Sequence, residues 1–450
     1  MRSGSHTPRF HLIALGCPKA RVEAEATLAA LLARGAVPVD DPAKADVLVV
    51  HTCAFIEDAR KESVALLLEL AELRGRGRRP RLVAVGCLPQ RYGDDLLRMM
   101  PEVDAVVGCN DLARVVDAAL GDERALVSTT PDPRELQPVA TRASQLAHSR
   151  YLKVAEGCAR KCAFCAIPAI RGPARSRPPK TLLEEARRMA DDGAVELILV
   201  AQDVSRFGAD RPGDRAGAPL LRLLDGLSRI DGIRWLRLLY LYPDALGREL
   251  LSGLRQLPKV LPYFDVPLQH VTDRMLRNMR RGTRRRDIDA LLDRLRGIFP
   301  EPTIRSAFIV GHPGETEADF RALRRFVRTA SLDRIGLFRY SDEDGTAAHG
   351  MREKVARGSA WRRFRALRAE ARRAMREKQR ALRGRVVEVL VDGPAPETDL
   401  LCVGRTAAQA PEIDGVTYLT GGLPPSGNFV AARIVRTSDS DLVADLNVTE

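Results

Sequence analysis

Cys158, Cys162 and Cys165 stand in the run Glu156-Gly-Cys-Ala-Arg-Lys-Cys-Ala-Phe-Cys-Ala-Ile-Pro, with C-x3-C-x2-C spacing. Three thiolates on one short loop can hold three irons of a cubic iron–sulfur cluster and leave the fourth without a protein ligand. That vacancy is where a small molecule binds and chemistry begins. A cluster built only to carry electrons takes four cysteines. A zinc site also takes four ligands, and no His or further Cys lies nearby to complete one. Phe164, just before the last cysteine, is placed to shield the cluster.

Cys17, Cys53 and Cys87 form a second constellation, visible only through the elements that carry them. Apolar strands are predicted at 10–17, 46–53, 81–87 and 103–109, with helices around 22–33, 57–73 and 91–99. Strand–helix alternation with short links implies a parallel sheet covered on both faces. Ligands of such sheets gather at the carboxyl ends of the strands. Each of the three cysteines stands at such an end, so the fold brings them to one rim. They are either a second trio of cluster ligands or small core residues, since free Cys is often buried. Cys109 ends the fourth strand in the same way, as a fourth ligand, a spare thiol or core.

A Pro-, Ser- and Thr-rich linker is expected over 130–149. Beyond it, strands at 151–155, 197–201, 233–240, 263–266, 303–310 and 332–340 alternate with helices at 181–191, 220–228, 287–298 and 317–329. Six such units predict a partial parallel barrel, open on one side, with its site at the strands' carboxyl ends. Two loops there suit a nucleoside cofactor. One carries Gln202 and Asp203; the other is Gly311-His-Pro-Gly-Glu-Thr316. Arg171, just after the cysteine loop, is a candidate partner for a carboxylate. His270 and His312 read as structural. Trp361, Phe364, Leu367, Ala371 and Met375 recur at helical spacing and form a packing stripe. Beyond 384 the pattern turns to short strands at 385–391, 400–405, 415–418 and 428–434, a small antiparallel barrel in which Cys402 is core.

The 450 residues, 45% apolar and 29% charged, describe a globular chain of several domains. No apolar run reaches membrane-span length, and residues 1–10 lack the layout of a secretory signal. Eight cysteines in so long a chain are no disulfide scaffold; a reducing cytoplasm is expected. The net charge of +13 is uneven. Residues 351–383 hold thirteen Lys and Arg against three Glu, either a solvated helix or a face for RNA. Residues 384–450 hold four Arg against ten Asp and Glu. That barrel is a poor clamp for RNA and suits a basic partner.

Leu15-Gly-Cys-Pro-Lys19, His51-Thr-Cys-Ala-Phe-Ile-Glu-Asp58, Val85-Gly-Cys87 and Glu156-Gly-Cys…Cys165 resemble the motifs of the methylthiotransferase branch of the radical S-adenosylmethionine (SAM) enzymes, across nearly the whole chain. The resemblance implies an α/β protein of three parts. Residues 8–125 form a parallel α/β sandwich with an auxiliary cluster. Residues 144–382 form an open (βα)6-type radical SAM barrel ending in the basic helix, and 383–450 a TRAM β-barrel. It implies two [4Fe-4S] clusters, on Cys17, Cys53 and Cys87 and on Cys158, Cys162 and Cys165, with SAM near Arg171, Gln202, Asp203, Gly311 and Glu315. No catalytic side chain beyond the cluster ligands is implied.

Gly-Cys-Pro-Lys, Tyr240-Leu-Tyr-Pro243 and Asp265-Val-Pro-Leu-Gln-His270 resemble the RimO-like subfamily, which adds a methylthio group to the β-carbon of an aspartate in the twelfth small-subunit ribosomal protein. Alternatives are a MiaB-like enzyme acting on a tRNA adenosine and a non-catalytic, cluster-bearing ribosome- or RNA-binding factor. The implied partners are that basic ribosomal protein, on or off the ribosome, rRNA at the basic helix, and a reductase or flavodoxin-type electron donor, with no membrane. Ala20 and Glu23 depart from the family's usual Asn and Asp, and Cys109 lies outside its pattern.

Overall fold

The computed structural model describes residues 7–75, 79–129, 146–211, 213 and 217–448. Most of the expected linker, 130–145, lies outside the described residues.

Six parallel strands form the first unit: β1 (Arg9–Ala14), β2 (Val37–Pro38), β3 (Val47–Thr52), β4 (Arg81–Gly86), β5 (Ala105–Gly108) and β6 (Ala125–Leu126), in the order β2-β1-β3-β4-β5-β6. Alternate residues feed two separate cores. Leu48, Val50, Leu82, Ala84 and Val106 face one side; Val47, Val49, Val83, Val85, Ala105 and Val107 face the other. A sheet covered on both faces requires such continuous apolar strands. The two-residue strands β2 and β6 are too short to show a sequence pattern. The expected strands overran the cysteines, and the structure corrects this. Gly16 and Gly86 take φ of +101° and +100°, outside the extended region, so the strands stop before Cys17 and Cys87. Cys17 instead caps helix Pro18–Ala33, and Cys87 opens helix Cys87–Tyr92.

The second unit contains β7 (Ser149–Lys153), the short antiparallel pair β8 (Ala155–Glu156) and β9 (Arg175–Ser176), then β10 (Glu196–Val200), β11 (Trp235–Leu238), β12 (Tyr263–Asp265), β13 (Thr303–Val310) and β14 (Arg334–Arg339). Parallel sheets β11-β10-β7 and β12-β13-β14 meet through the bridge Leu236–Val260, making an open six-stranded barrel. Leu152, Leu197 and Leu199 pack outward beneath the helices. Tyr151, Ile198, Val200 and Tyr263 pack inward.

The third unit is a closed barrel of β15 (Val386–Ala395), β16 (Thr398–Thr406), β17 (Thr417–Thr420), β18 (Phe429–Thr437) and β19 (Leu442–Asp445). Four strands were predicted; β19, pairing parallel to β17 and antiparallel to β18, closes it. It seals the amino end of the larger barrel, where Leu390 and Ala410 join the inward cluster. The carboxyl ends of the larger barrel's strands therefore face away from it.

This docking changes the meaning of the acidic charge. Glu388 pairs with Arg234, Glu412 with Arg21, Asp414 with Arg305 and Arg334, and Asp439 with Arg372 and Arg376. Asp392 meets His148. Much of the small barrel's acidity thus holds it to its own chain rather than facing a basic partner. Underneath, Glu196 is fully buried between Arg237, at 2.8 Å, and Arg405. The basic helix, Arg357–Arg380, lies along β14 with Leu367 and Ala371 buried, while Trp361 at the end of the same stripe stays exposed.

Candidate active site

Cys158, Cys162 and Cys165 occupy the loop between β8 and helix Ile167–Arg171, at the carboxyl end of the barrel. Neighbouring backbone holds the loop: Cys158 N–H donates to Gly172 O at 3.1 Å and Ala163 N–H to Met279 O at 3.0 Å. Its thiols are half-buried. Hydrogen-bond donors attend them. Arg281 Nη1 lies 3.4 Å from Cys162 Sγ, and the Arg160 amide 3.4 Å from Cys158 Sγ. The Arg160 and Arg281 guanidinium groups stack on the Tyr242 ring at 3.6 and 3.9 Å, and Tyr242 Oη lies 3.5 Å from Cys162 Sγ. Burial pushes the Cys165 thiol up to about 12; as a ligand it would need a metal's own charge to hold it as thiolate. Phe164 packs beside Met275, Met279 and Tyr340 and edge-on to His312.

The second trio follows β1, β3 and β4. Gly16 approaches so closely that an added Cβ would sit 3.2 Å from Cys53 Cβ. Burial and the neighbouring Cys87 push the Cys53 thiol up to about 11. Cys87 accepts from Cys109, which with Arg171 outweighs burial and holds it down to about 6. Cys109 is buried in the core of this unit, its Sγ 4.0 Å from Cys87 Sγ.

A buried charged group joins the two sites. Arg171, 2% exposed, donates from Nη2 to Cys87 Sγ and to Glu23 Oε2, both at 3.1 Å, and from Nη1 to Glu156 Oε2 at 3.1 Å and to Glu23 Oε1. Lys153 Nζ reaches Glu23 at 3.0 Å and Glu156 at 2.9 Å. Glu156 also accepts from Gln202 Nε2 at 2.6 Å and the Gly157 amide at 3.0 Å. Glu23 belongs to the first unit; Arg171, Lys153 and Glu156 belong to the barrel.

The predicted SAM contacts divide. Asp203 accepts from Arg160 at 2.9 Å beside the cysteine loop. Gln202 Oε1 is buried with no protein hydrogen-bond partner. Arg171 does pair with carboxylates, but with those of Glu23 and Glu156. Glu315 is likewise turned inward: its carboxylate accepts from the Gly311 amide at 2.7 Å and Arg363 at 2.8 Å, with His270 Nε2 at 3.5 Å. Its loop is held by its own side chain. Sequence reasoning missed Lys153, Arg160, Tyr242 and Arg281 as site neighbours. Lys153 in the otherwise apolar predicted strand 151–155 was the one local signal.

The donor sets suit open clusters: two thiol trios, each beside a cation, and an orphaned polar acceptor next to one of them. Residues 9–108 match the Uncharacterized protein family UPF0004, 152–327 the Radical SAM superfamily and 384–446 the TRAM domain. The chain is 42% identical over 449 residues to "Ribosomal protein uS12 methylthiotransferase RimO" of Sorangium cellulosum, covering 97% of this chain and 91% of that one. It is 45% identical over 440 residues to the protein of the same name from Anaeromyxobacter sp. (strain K), covering 97% and 92%. The chain belongs to the RimO methylthiotransferase family. It is a radical SAM enzyme, and the family's cofactors are two [4Fe-4S] clusters and SAM. A solved structure shares the fold. A radical SAM methyltransferase, TsrM from Kitasatospora setae, solved with cobalamin and a [4Fe-4S] cluster, is similar with a TM-score of 0.55 and 15% identity, over 74% of this chain and 75% of that one. No helix among the described residues is long and apolar enough to cross a membrane.

Proposed function

We propose that the chain adds a methylthio group to the β-carbon of an aspartate in ribosomal protein uS12. One observation carries this reading: two cysteine trios, at the carboxyl ends of two α/β units, are locked together through the buried contact of Arg171 with Cys87 and Glu23. The name shared by the relatives supports the substrate. When bound, the clusters and SAM supply a carbon-centred radical and a methylated sulfur for insertion at an unactivated C–H bond.

The chain's own residues bind and orient. Cys158, Cys162 and Cys165 hold one cluster, and Cys17, Cys53 and Cys87 the other. Gln202 Oε1, a buried acceptor lacking a donor, suits the ammonium of SAM. Asp203 adds negative charge beside Cys158. Gly311 shapes the facing loop, while Arg171 and Glu315 act through protein contacts. The functional units are 8–125, 144–382 and 383–450. Exposed Arg365, Arg368 and Arg373 of the basic helix suit rRNA, an arrangement that would bring the enzyme to a ribosomal substrate in the cytoplasm. A reductase or flavodoxin-type protein supplies electrons.

Incubating the anaerobically reconstituted enzyme with SAM, reductant and uS12 tests the reading. A methylthio mass gain on one aspartate peptide is expected. A gain on tRNA with none on the protein would overturn it.

A further inference from the structure

We infer that Arg171, although it belongs to the barrel and follows the barrel's cysteine loop, is the counter-charge of the other cluster, the one on Cys17, Cys53 and Cys87. This rests on the proposed assignment of that trio as cluster ligands. Arg171 Nη2 lies 3.1 Å from Cys87 Sγ, and the side chain is 2% exposed. Arginine stays protonated in proteins and presents five donors in a fixed fork. Here Glu23 and Glu156 clamp the fork, so its free edge points at a ligand sulfur.

The surrounding charges leave a surplus. Two buried carboxylates, Glu23 and Glu156, face three buried cations, Arg171, Lys153 and Lys19. Lys153 is taken up by both carboxylates. Lys19 stacks at 3.7 Å on the Tyr240 ring and lies in the first turn of the helix that Cys17 caps. His51 is buried beside them, with its ring hydrogen-bonded to Thr27. An uncompensated buried cation is strongly unfavourable. Ligand thiolates supply the missing negative charge, and a hydrogen bond from guanidinium to thiolate is charge-assisted.

Two consequences follow. Net charge and hydrogen bonds to the sulfurs set a cluster's potential. Arg171 therefore raises the potential of the N-terminal cluster, and Glu23 lowers it. Arg171 also sits in the helix that begins just after Cys165 and grips Cys87 of the other unit, so one short helix positions the two sites relative to each other.

The test uses the full chain carrying Cys158→Ala, Cys162→Ala and Cys165→Ala, so that iron is held only by the N-terminal trio. Iron and sulfide analysis comes first, then potentiometric titration followed by electron paramagnetic resonance. Arg171→Gln is expected to lower the potential, Arg171→Lys to lower it less, and Glu23→Gln to raise it. A parent holding no iron overturns the cluster assignment itself. A parent that holds iron, with Arg171→Gln and Glu23→Gln leaving its potential unmoved or moving it the same way, overturns the inference alone. Should Arg171→Gln fail to fold, Arg171→Lys decides, because it keeps the charge the carboxylates need but shortens the reach to sulfur. An unchanged potential there counts against the inference.

Discussion

The Cys109 thiol stands abreast of Cys87, 4.0 Å away, because their strands pair at Gly86 and Gly108. Both side chains point into the same apolar core with Leu82, Ala84 and Val106. That placement packs Cys109 in the core behind Cys87, the proposed ligand. Cys109→Ser is expected to leave iron and sulfide content at the parent's level. Seating a hydroxyl in this core should cost about 1–3 kcal/mol, seen as a lower melting temperature. Loss of iron in Cys109→Ser would make it a ligand.

Gly157 gives the barrel's cysteine loop its shape. Its φ is +76°, and an added Cβ would fall 2.1 Å from Pro173 O, a backbone atom that cannot step aside. Gly157→Ala should therefore lose the barrel cluster while the N-terminal one survives. Iron analysis would show about half the parent's content. Full retention would mean that the loop rebuilds.

The joint between the first unit and the barrel has a second buried charge. Glu343 of the barrel, 1% exposed, accepts from Arg91 at 2.6 Å and Arg60 at 2.9 Å, both from the first unit. Glu343→Leu strips two arginines of their carboxylate, a change that costs about 3–5 kcal/mol where the pair is buried. Calorimetry should show the first unit melting at lower temperature, with Glu343→Gln in between.

Acid should loosen the small barrel first at its dock. Burial alone would raise the Glu196 carboxyl, but the charges of Arg405 and Arg237 hold it below its ordinary value of 4.5. Asp392 is held down likewise by His148 and Arg405, against burial. Carboxyls depressed on folding contribute stability that is complete above their unfolded values and fades as pH falls through the folded ones. Melting temperature should thus be flat above pH about 5 and drop below pH about 4. Glu196→Gln should show a shallower acid limb.

The basic helix spends some of its charge internally. Arg372 and Arg376 share Asp439, and Arg363 pairs with Glu315. Arg365, Arg368 and Arg373 are exposed. Changing these three to Gln should weaken binding to small ribosomal subunits and flatten its salt dependence, since each phosphate neutralised contributes to that slope. Changing Arg372 and Arg376 should matter less. Equal effects of the two sets would show that the pairing with Asp439 does not hold those arginines back.

Much of the architecture was legible because it repeats along the chain. Continuous apolar strands, helical stretches between them and turn residues after them announced two parallel α/β units and a small barrel. Strands such as Val37–Pro38 and Leu442–Asp445 escaped, since two or four residues carry too little periodicity and are recruited by the neighbours they pair with. The acidic surplus beyond residue 384 was visible as a number. Its use, gripping Arg21, Arg234, Arg305 and Arg334, was not, because a count carries no direction.

Cysteine spacing within one loop is local chemistry, so the chain alone pointed to a cluster loop in the barrel; strand ends brought Cys17, Cys53 and Cys87 to one rim but left ligand and core readings open. Packing decided the rest. Arg171 was expected at SAM, yet helix docking brings it to Glu23, 148 residues away, and to Cys87, 84 residues away. A buried guanidinium must find its anions wherever the fold places them, and only the folded chain sets two such distant groups 3.1 Å apart.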